Sequence, residues 1–180
     1  MPGGHAVGDM IEPAELAAIA LGSNMGDRMY FLRQGLRAFM DQGVLTQVRA
    51  SAVYETLAVG AGAGGDFLNA VVMGRCALNP HNLLAACMRI EQSLGRDRTL
   101  KGHGGPRTID LDVLFFGQRQ VCEPDFVLPH PRMFSRLFVL QPLADIAGDF
   151  ILPTQTESVQ FLLASLDRTA MGRCVGPLEC

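Results

Sequence analysis

Residues 108–116 read TIDLDVLFF, and this alternation constrains the chain more than any other stretch. Ile109, Leu111 and Val113 share one parity, while Asp110 and Asp112 share the other. In a β-strand, residues two apart face the same side. A strand here buries one face and lays two carboxylates side by side on the other, about 7 Å apart along the chain. Two bare carboxylates so placed repel each other. A divalent metal removes the repulsion, and a carboxylate pair can serve two ions about 3.5–4 Å apart. Oxygen-only donors favour Mg²⁺, which keeps its waters and takes further ligands from phosphates. The plainer alternative is an edge strand with a solvated polar face.

The flanking sequence weighs against that alternative. Arg96, Arg98, Lys101 and Arg107 cluster upstream, and His130, Arg132 and Arg136 follow downstream. Carboxylates holding Mg²⁺ beside several guanidiniums form the arrangement a polyphosphate needs. Taken singly, each arginine also fits a solvated loop charge, and His130 in LPHPR fits a turn residue. The chain has no G-x-x-x-x-G-K-[ST] phosphate loop and no protein-kinase set of glycine loop, H-R-D and D-F-G. The glycine-rich residues 60–65 lack the strand-to-helix setting of a dinucleotide fingerprint and read as a flexible loop.

With 180 residues, 48% of them hydrophobic and 18% charged, the chain can bury a core as one domain. A formal net charge of −3 argues against a general nucleic-acid or anionic-membrane binder. No apolar run reaches membrane-spanning length. The first residues carry neither the basic nor the apolar region of a secretory signal. Five cysteines, odd in number and without metal spacing, read as reduced thiols of a cytoplasmic protein.

Local signals predict an order of elements. Residues 1–16 read as a flexible tail, 17–167 as a single catalytic domain and 168–180 as a C-terminal tail. AAIAL, residues 17–21, is a buried strand, followed by a turn at GSN. Asp27 caps a helix with Met29, Leu32, Leu36, Phe39 and Met40 at helical spacing, ended by Gly43. Val48, Ala50, Ala52 and Tyr54 share a parity in a second strand, and FLNAVVM, residues 67–73, forms a third. Asn79-Pro80 starts a second helix that Gly95 stops. The aspartate strand is the fourth. A helical stretch over 131–146 breaks or ends near Pro142, and residues 158–166 form a last short helix. The order β-α-β-β-α-β suits an α+β fold, a ferredoxin-like antiparallel sheet with flanking helices and C-terminal additions.

Five segments in this order make the chain recognisable: IALGSNMGDR, DFLNAVV, RIEQSLGRDR, GPRTIDLDVLFFG and LPHPRMFSRLFVLQPL. Together they resemble the 6-hydroxymethyl-7,8-dihydropterin pyrophosphokinases of folate biosynthesis, over residues 17–153. GPRTIDLD with a downstream PHP is the most specific part. The resemblance implies transfer of pyrophosphate from ATP to the pterin hydroxymethyl oxygen, with release of AMP. It implies that Asp110 and Asp112 hold two Mg²⁺ ions on ATP. The pterin would lie between Phe67 and Phe138, bonded by Asn69, with Thr56, Leu57 and Val59 completing the pocket. Arg96 and Arg107 would act on the reacting phosphates. Arg98, His130 and Arg136 would contact the triphosphate, and backbone near Val113 and Val127 would read the adenine. Glu91 matches the family's acidic position, either as a ribose contact or to orient an arginine. Segments 57–66 and 96–105 would be lids. A monomer with ATP and hydroxymethyldihydropterin as its only partners is expected.

Two rival readings have distinct signatures. An RNA-binding or regulatory module on such a sheet would want stacking aromatics and a basic face, which the sequence lacks. A related pterin enzyme with altered substrate choice is the other reading, because Phe67, where the family usually has Tyr, and the loop KGHGGPR, residues 101–107, where the family often has an aromatic just before the GPR glycine, both bear on selectivity.

Overall fold

The computed structural model describes residues 13–57, 65–96, 106–167, 169 and 172–180. Its described elements are eight strands and four α-helices. Strand β1 (Glu15–Ser23) lies centrally, between β4 (Phe67–Cys76) and β5 (Asp110–Phe116), and pairs antiparallel with both. On its other edge β4 pairs antiparallel with β2 (Thr46–Ala50) and β3 (Ala52–Thr56). The sheet is a mixed α/β fold's antiparallel centre, in the order β5-β1-β4-β3-β8 with β2 also on β4. A separate hairpin joins β6 (Val121–Glu123) to β7 (Phe126–Leu128).

Both faces of the sheet are covered. Helices α1 (Arg28–Asp41) and α2 (Pro80–Ser93) bury Leu32, Leu36, Phe39, Leu83, Cys87 and Ile90 against Ile19, Leu21, Leu111 and Val113. On the other face α3 (Leu137–Ala147) and α4 (Val159–Ser165) bury Val139, Leu140, Leu143, Val159 and Leu163 against Ala18, Val71, Met73 and Phe115. The expected apolar side of the aspartate strand is therefore core: Ile109, Leu111 and Val113 are buried among α1 and α2.

Local signals set most boundaries. The Asp27 side chain accepts from the Tyr30 amide, and Asn79 accepts from the Asn82 amide, with Pro80 in the first turn. Gly43 and Gly95 follow the two helices at φ +64° and +80°, the left-handed conformation that glycine adopts without penalty. Ser158 caps α4.

Five expectations need correction. The second strand is two strands, because Ser51 interrupts it: the hydroxyl accepts from the Val71 amide and donates to the Ala52 carbonyl. Pro142 does not break α3 but sits inside it. The helix loses one backbone bond there, yet Leu140, Leu143 and Ile146 stay buried on the sheet. Gly22 and Ser23 belong to β1 rather than to a turn. Finally, β8 (Arg173–Pro177), in what the sequence marks as a tail, pairs antiparallel with β3. Within the residues marked as the N-terminal tail, β1 already begins at Glu15.

Candidate active site

One row of residues crosses four strands. Asp110 pairs with Gly22, Gly22 with Asn69, and Asn69 with Tyr54. Paired residues on neighbouring antiparallel strands face the same side. Asp110, Asn69 and Tyr54 thus share the face that α3 covers, and Asp112, Phe67 and Thr56 share it by parity. The Asn69 amide is nearly buried and donates from Nδ2 to Thr56 Oγ1 at 2.8 Å. Gly22 leaves a gap in the row: a Cβ there would lie 3.3 Å from Asn69 Oδ1 and 3.8 Å from both Asp110 Cβ and Phe67 Cδ1. Sequence reasoning missed Gly22, whose signal was its place opposite both strands.

Asp110 is held by two guanidiniums. Arg96 Nη1 contacts Asp110 Oδ1, and Arg107 Nη1 donates to Asp110 Oδ2 at 2.5 Å. The same Arg96 nitrogen contacts Glu91 Oε1. Glu91 is 2% exposed, and its Oε1 also accepts the Leu111 amide at 2.8 Å. Glu91 thus contacts an arginine, Arg96, as one of its two expected roles has it. Burial disfavours the Arg96 charge, but Asp110 and Glu91 outweigh it and hold its pKa above the ordinary value. The guanidinium of Arg107 also lies 5.8 Å from the centroid of the Phe67 ring, within cation–π reach. The Arg107 amide donates to Asn24 Oδ1 at 2.7 Å, a contact between residues 83 apart that no local pattern announces.

The second aspartate has a different environment. Burial, and then the charge of Asp110, push the Asp112 pKa above the usual carboxylate range, while His130, Arg136 and Arg96 pull the other way. Burial pushes the His130 pKa down, with Arg136 and Arg132 adding to the effect and Asp112 opposing it. His130 Nδ1 accepts the Arg132 amide at 3.2 Å, which leaves the proton of the neutral ring on Nε2. Burial also lowers the Arg136 pKa, helped by Arg132 and opposed by Asp112 and Asp110. Arg136 lies over Phe138, 5.2 Å from the ring centroid.

Not every expected residue joins this cluster. Val59 and Arg98 lie outside the described residues, as do 58–64 and 97–105 of the expected lids. Leu57 is 80% exposed at the end of β3, and Phe138 is partly exposed at the start of α3. The Val113 side chain points into the α1 and α2 core, so only its backbone is available for recognition. Val127 is partly exposed in β7.

The donor set fits Mg²⁺. Two carboxylates share one face, and Asp112 is a half-buried acid whose charge is disfavoured by desolvation and by Asp110, a condition that a divalent cation relieves. Paired acids beside converging guanidiniums on an antiparallel sheet are the equipment of a phosphate-transfer enzyme.

Comparison with known proteins points the same way. The model of the family described as 7,8-dihydro-6-hydroxymethylpterin-pyrophosphokinase matches residues 18–148. The chain is 44% identical to a 2-amino-4-hydroxy-6-hydroxymethyldihydropteridine pyrophosphokinase of Bacillus subtilis (strain 168), over 73% of this chain and 77% of that protein. It is 36% identical to the protein of the same name from Synechocystis sp., over 91% of this chain and 82% of the other. Among solved structures, wild-type Plasmodium falciparum HPPK-DHPS superposes with a TM-score of 0.67 at 14% identity, covering 85% of this chain and 45% of that one. That last likeness concerns the fold alone. The chain belongs to the 7,8-dihydro-6-hydroxymethylpterin-pyrophosphokinase family.

Proposed function

We propose that the chain transfers the pyrophosphoryl group of ATP to 6-hydroxymethyl-7,8-dihydropterin in folate synthesis, releasing AMP. Family membership supports the activity, and the joint hold of Arg96 and Arg107 on Asp110 carries the site assignment. Asp110 and Asp112 would hold two Mg²⁺ ions that arrive with ATP. When bound, Mg²⁺ supplies neutralisation of phosphate charge and polarisation of the reacting oxygens.

The chain's own residues do the positioning. Arg96 and Arg107 donate to the phosphoryl oxygens as charge develops on them. Glu91 holds Arg96 from behind, in place of water. His130, neutral and carrying its proton on Nε2, donates one hydrogen bond to a phosphate oxygen. Arg136 and Arg98 add positive charge along the triphosphate, and backbone near Val113 and Val127 meets the adenine. The pterin ring packs between Phe67 and Phe138. Asn69 bonds its polar edge, and Thr56, Leu57 and Val59 line the pocket. No side chain is needed as a strong base, because phosphoryl transfer of this kind runs largely on positioning and charge.

The sheet supports a ferredoxin-like reading. Counting β2 and β3 as one strand broken at Ser51, the core strands run fourth, first, third, second across the sheet. The enzyme would act as a cytoplasmic monomer. Among the described residues, no helix is long and apolar enough to cross a membrane.

Product analysis tests the function. The protein is incubated with ATP, Mg²⁺ and hydroxymethyldihydropterin. AMP and pterin diphosphate in equal amounts are expected; ADP as the nucleotide product overturns the reading.

A further inference from the structure

We infer that Arg28 is a positioning residue that clamps the two chain segments carrying Thr56 and Phe67, and so governs affinity for the pterin but not for ATP. The inference rests on the proposed function. Arg28 opens α1, one residue after the Asp27 cap. Its Nη1 donates to the backbone carbonyl of Asp66 at 2.6 Å, and its Nη2 donates to Glu55 Oε1 at 2.9 Å. Glu55 lies next to Thr56 near the end of β3, and Asp66 immediately precedes Phe67 at the start of β4. The ladder between these strands ends at the Thr56–Phe67 pair. One planar guanidinium therefore spans both chains where backbone pairing stops.

The clamp works from behind the sheet. Glu55 pairs with Leu68, whose side chain belongs to the core under α1 and α2. Thr56, Phe67 and Asn69 occupy the opposite face with Asp110. Arg28 thus acts through Thr56 and Phe67 rather than on a ligand. Its reach fits the guanidinium: two donors on one planar group meet one acceptor on β3 and one just before β4, a fork that an ammonium matches less well. The second oxygen of Glu55 accepts from Arg173 Nη2 at 2.6 Å, tying the same point to β8. That arginine is largely exposed, whereas Arg28 and Glu55 are mostly shielded. Arg28 is the more shielded of the two arginines and the one that also reaches Asp66, and the neighbouring site on β5 has no contact with it among the hydrogen bonds of the described residues.

The preorganised spacing of Thr56 and Phe67 sets how much ordering the pterin must impose on binding. Steady-state kinetics of the full-length protein test this with Arg28→Ala, Arg28→Lys and Arg173→Ala, varying each substrate in turn. Arg28→Ala should raise the pterin KM about tenfold, as loss of charge-assisted bonds that preorganise a site would. Its kcat and ATP KM should stay within about twofold of wild type. Arg28→Lys should recover part of the loss, and Arg173→Ala should change the pterin KM by less than about twofold. In parallel, amide hydrogen exchange of the unliganded protein should speed up at least about fivefold at residues 55–57 and 66–69 in Arg28→Ala, with 110–116 unchanged. A pterin KM unmoved by Arg28→Ala, an equal rise in both KM values, or unchanged exchange at these segments overturns the inference. A wild-type protein without turnover refutes the proposed function instead, and the exchange measurement still decides the clamp.

Discussion

The guanidinium of Arg107 lies over the Phe67 ring at 5.8 Å while its Nη1 donates to Asp110 at 2.5 Å. One side chain thus touches both the aromatic residue assigned to the pterin and the carboxylate assigned to the metal. Binding on either side changes what Arg107 meets on the other. Mg-ATP should therefore tighten pterin binding, and linkage requires the reverse effect to be equal. Titrating the pterin by calorimetry, with and without a non-hydrolysable Mg-ATP analogue, should show a gain of roughly 5- to 150-fold. Equal affinities would show two independent sites.

Glu91 is a buried charge with two jobs, accepting the Leu111 amide and pairing with Arg96. Removing one partner of a buried pair strands the other. Glu91→Ala should destabilise the protein by about 3 kcal/mol, because the Leu111 amide also loses its acceptor. Glu91→Gln keeps an acceptor and should cost less. Denaturant unfolding of the two variants gives the ranking, and equal losses would refute the separate amide contribution.

Tyr54 and Asp145 form a second link across the α3 face. The Tyr54 hydroxyl donates to the Asp145 carboxylate at 2.9 Å, and the Ala52 amide donates to the same carboxylate at 3.3 Å. Burial, then the hydrogen bond and charge of Asp145, raise the Tyr54 pKa to about 12. Here folding favours the protonated form. The contribution is complete below the ordinary tyrosine pKa of about 10 and is lost as pH rises towards 12. Phenolate absorbance should show a late step near pH 12 that Tyr54→Phe removes. Wild-type melting temperature should also fall more steeply than that of Tyr54→Phe across this range.

The cysteines predict a simple pattern of reactivity. All five are free; Cys122, Cys174 and Cys180 are exposed, while Cys76 and Cys87 are buried. Burial pushes both buried thiols above their ordinary pKa, which starves them of thiolate. Mass spectrometry of the native protein after brief alkylation should find modification at the three exposed positions and not at Cys76 or Cys87. Reductant should leave the melting temperature unchanged; a large drop would reveal a structural disulfide.

Features governed by near neighbours were legible in the sequence. Asp27, Asn79 and Pro80 marked helix starts because capping is settled within three residues. The alternation of Asp110 and Asp112 with Ile109, Leu111 and Val113 gave the two faces of β5 because strand parity is local. The meeting of Arg96 with Asp110 was suggested by clustered charge. Other features depend on partners far along the chain. Ser51 breaks a continuous alternation only because its hydroxyl finds the Val71 amide. The sequence of β8, RCVGP, carries glycine and proline, and its backbone pairing with β3 and the Arg173–Glu55 contact both join residues more than a hundred positions apart. Arg28 grips Glu55 and Asp66, and Tyr54 meets Asp145 at 91 residues' separation, with no periodicity to announce either. Pro142 shows the reverse case, a strong local stop signal overridden by packing of α3 on the sheet.

On the proposed function, the polar face of β5 holds the metal of a bound nucleotide. Asp112→Asn and Asp110→Asn keep side-chain size and remove one charge each. Mg-ATP is titrated calorimetrically into wild type and both variants, with thermal unfolding as the check on folding. Both variants should fold, with an affinity for Mg-ATP lower by at least about 100-fold and with magnesium no longer improving binding of ATP. Wild-type affinity for Mg-ATP in either folded variant would contradict it.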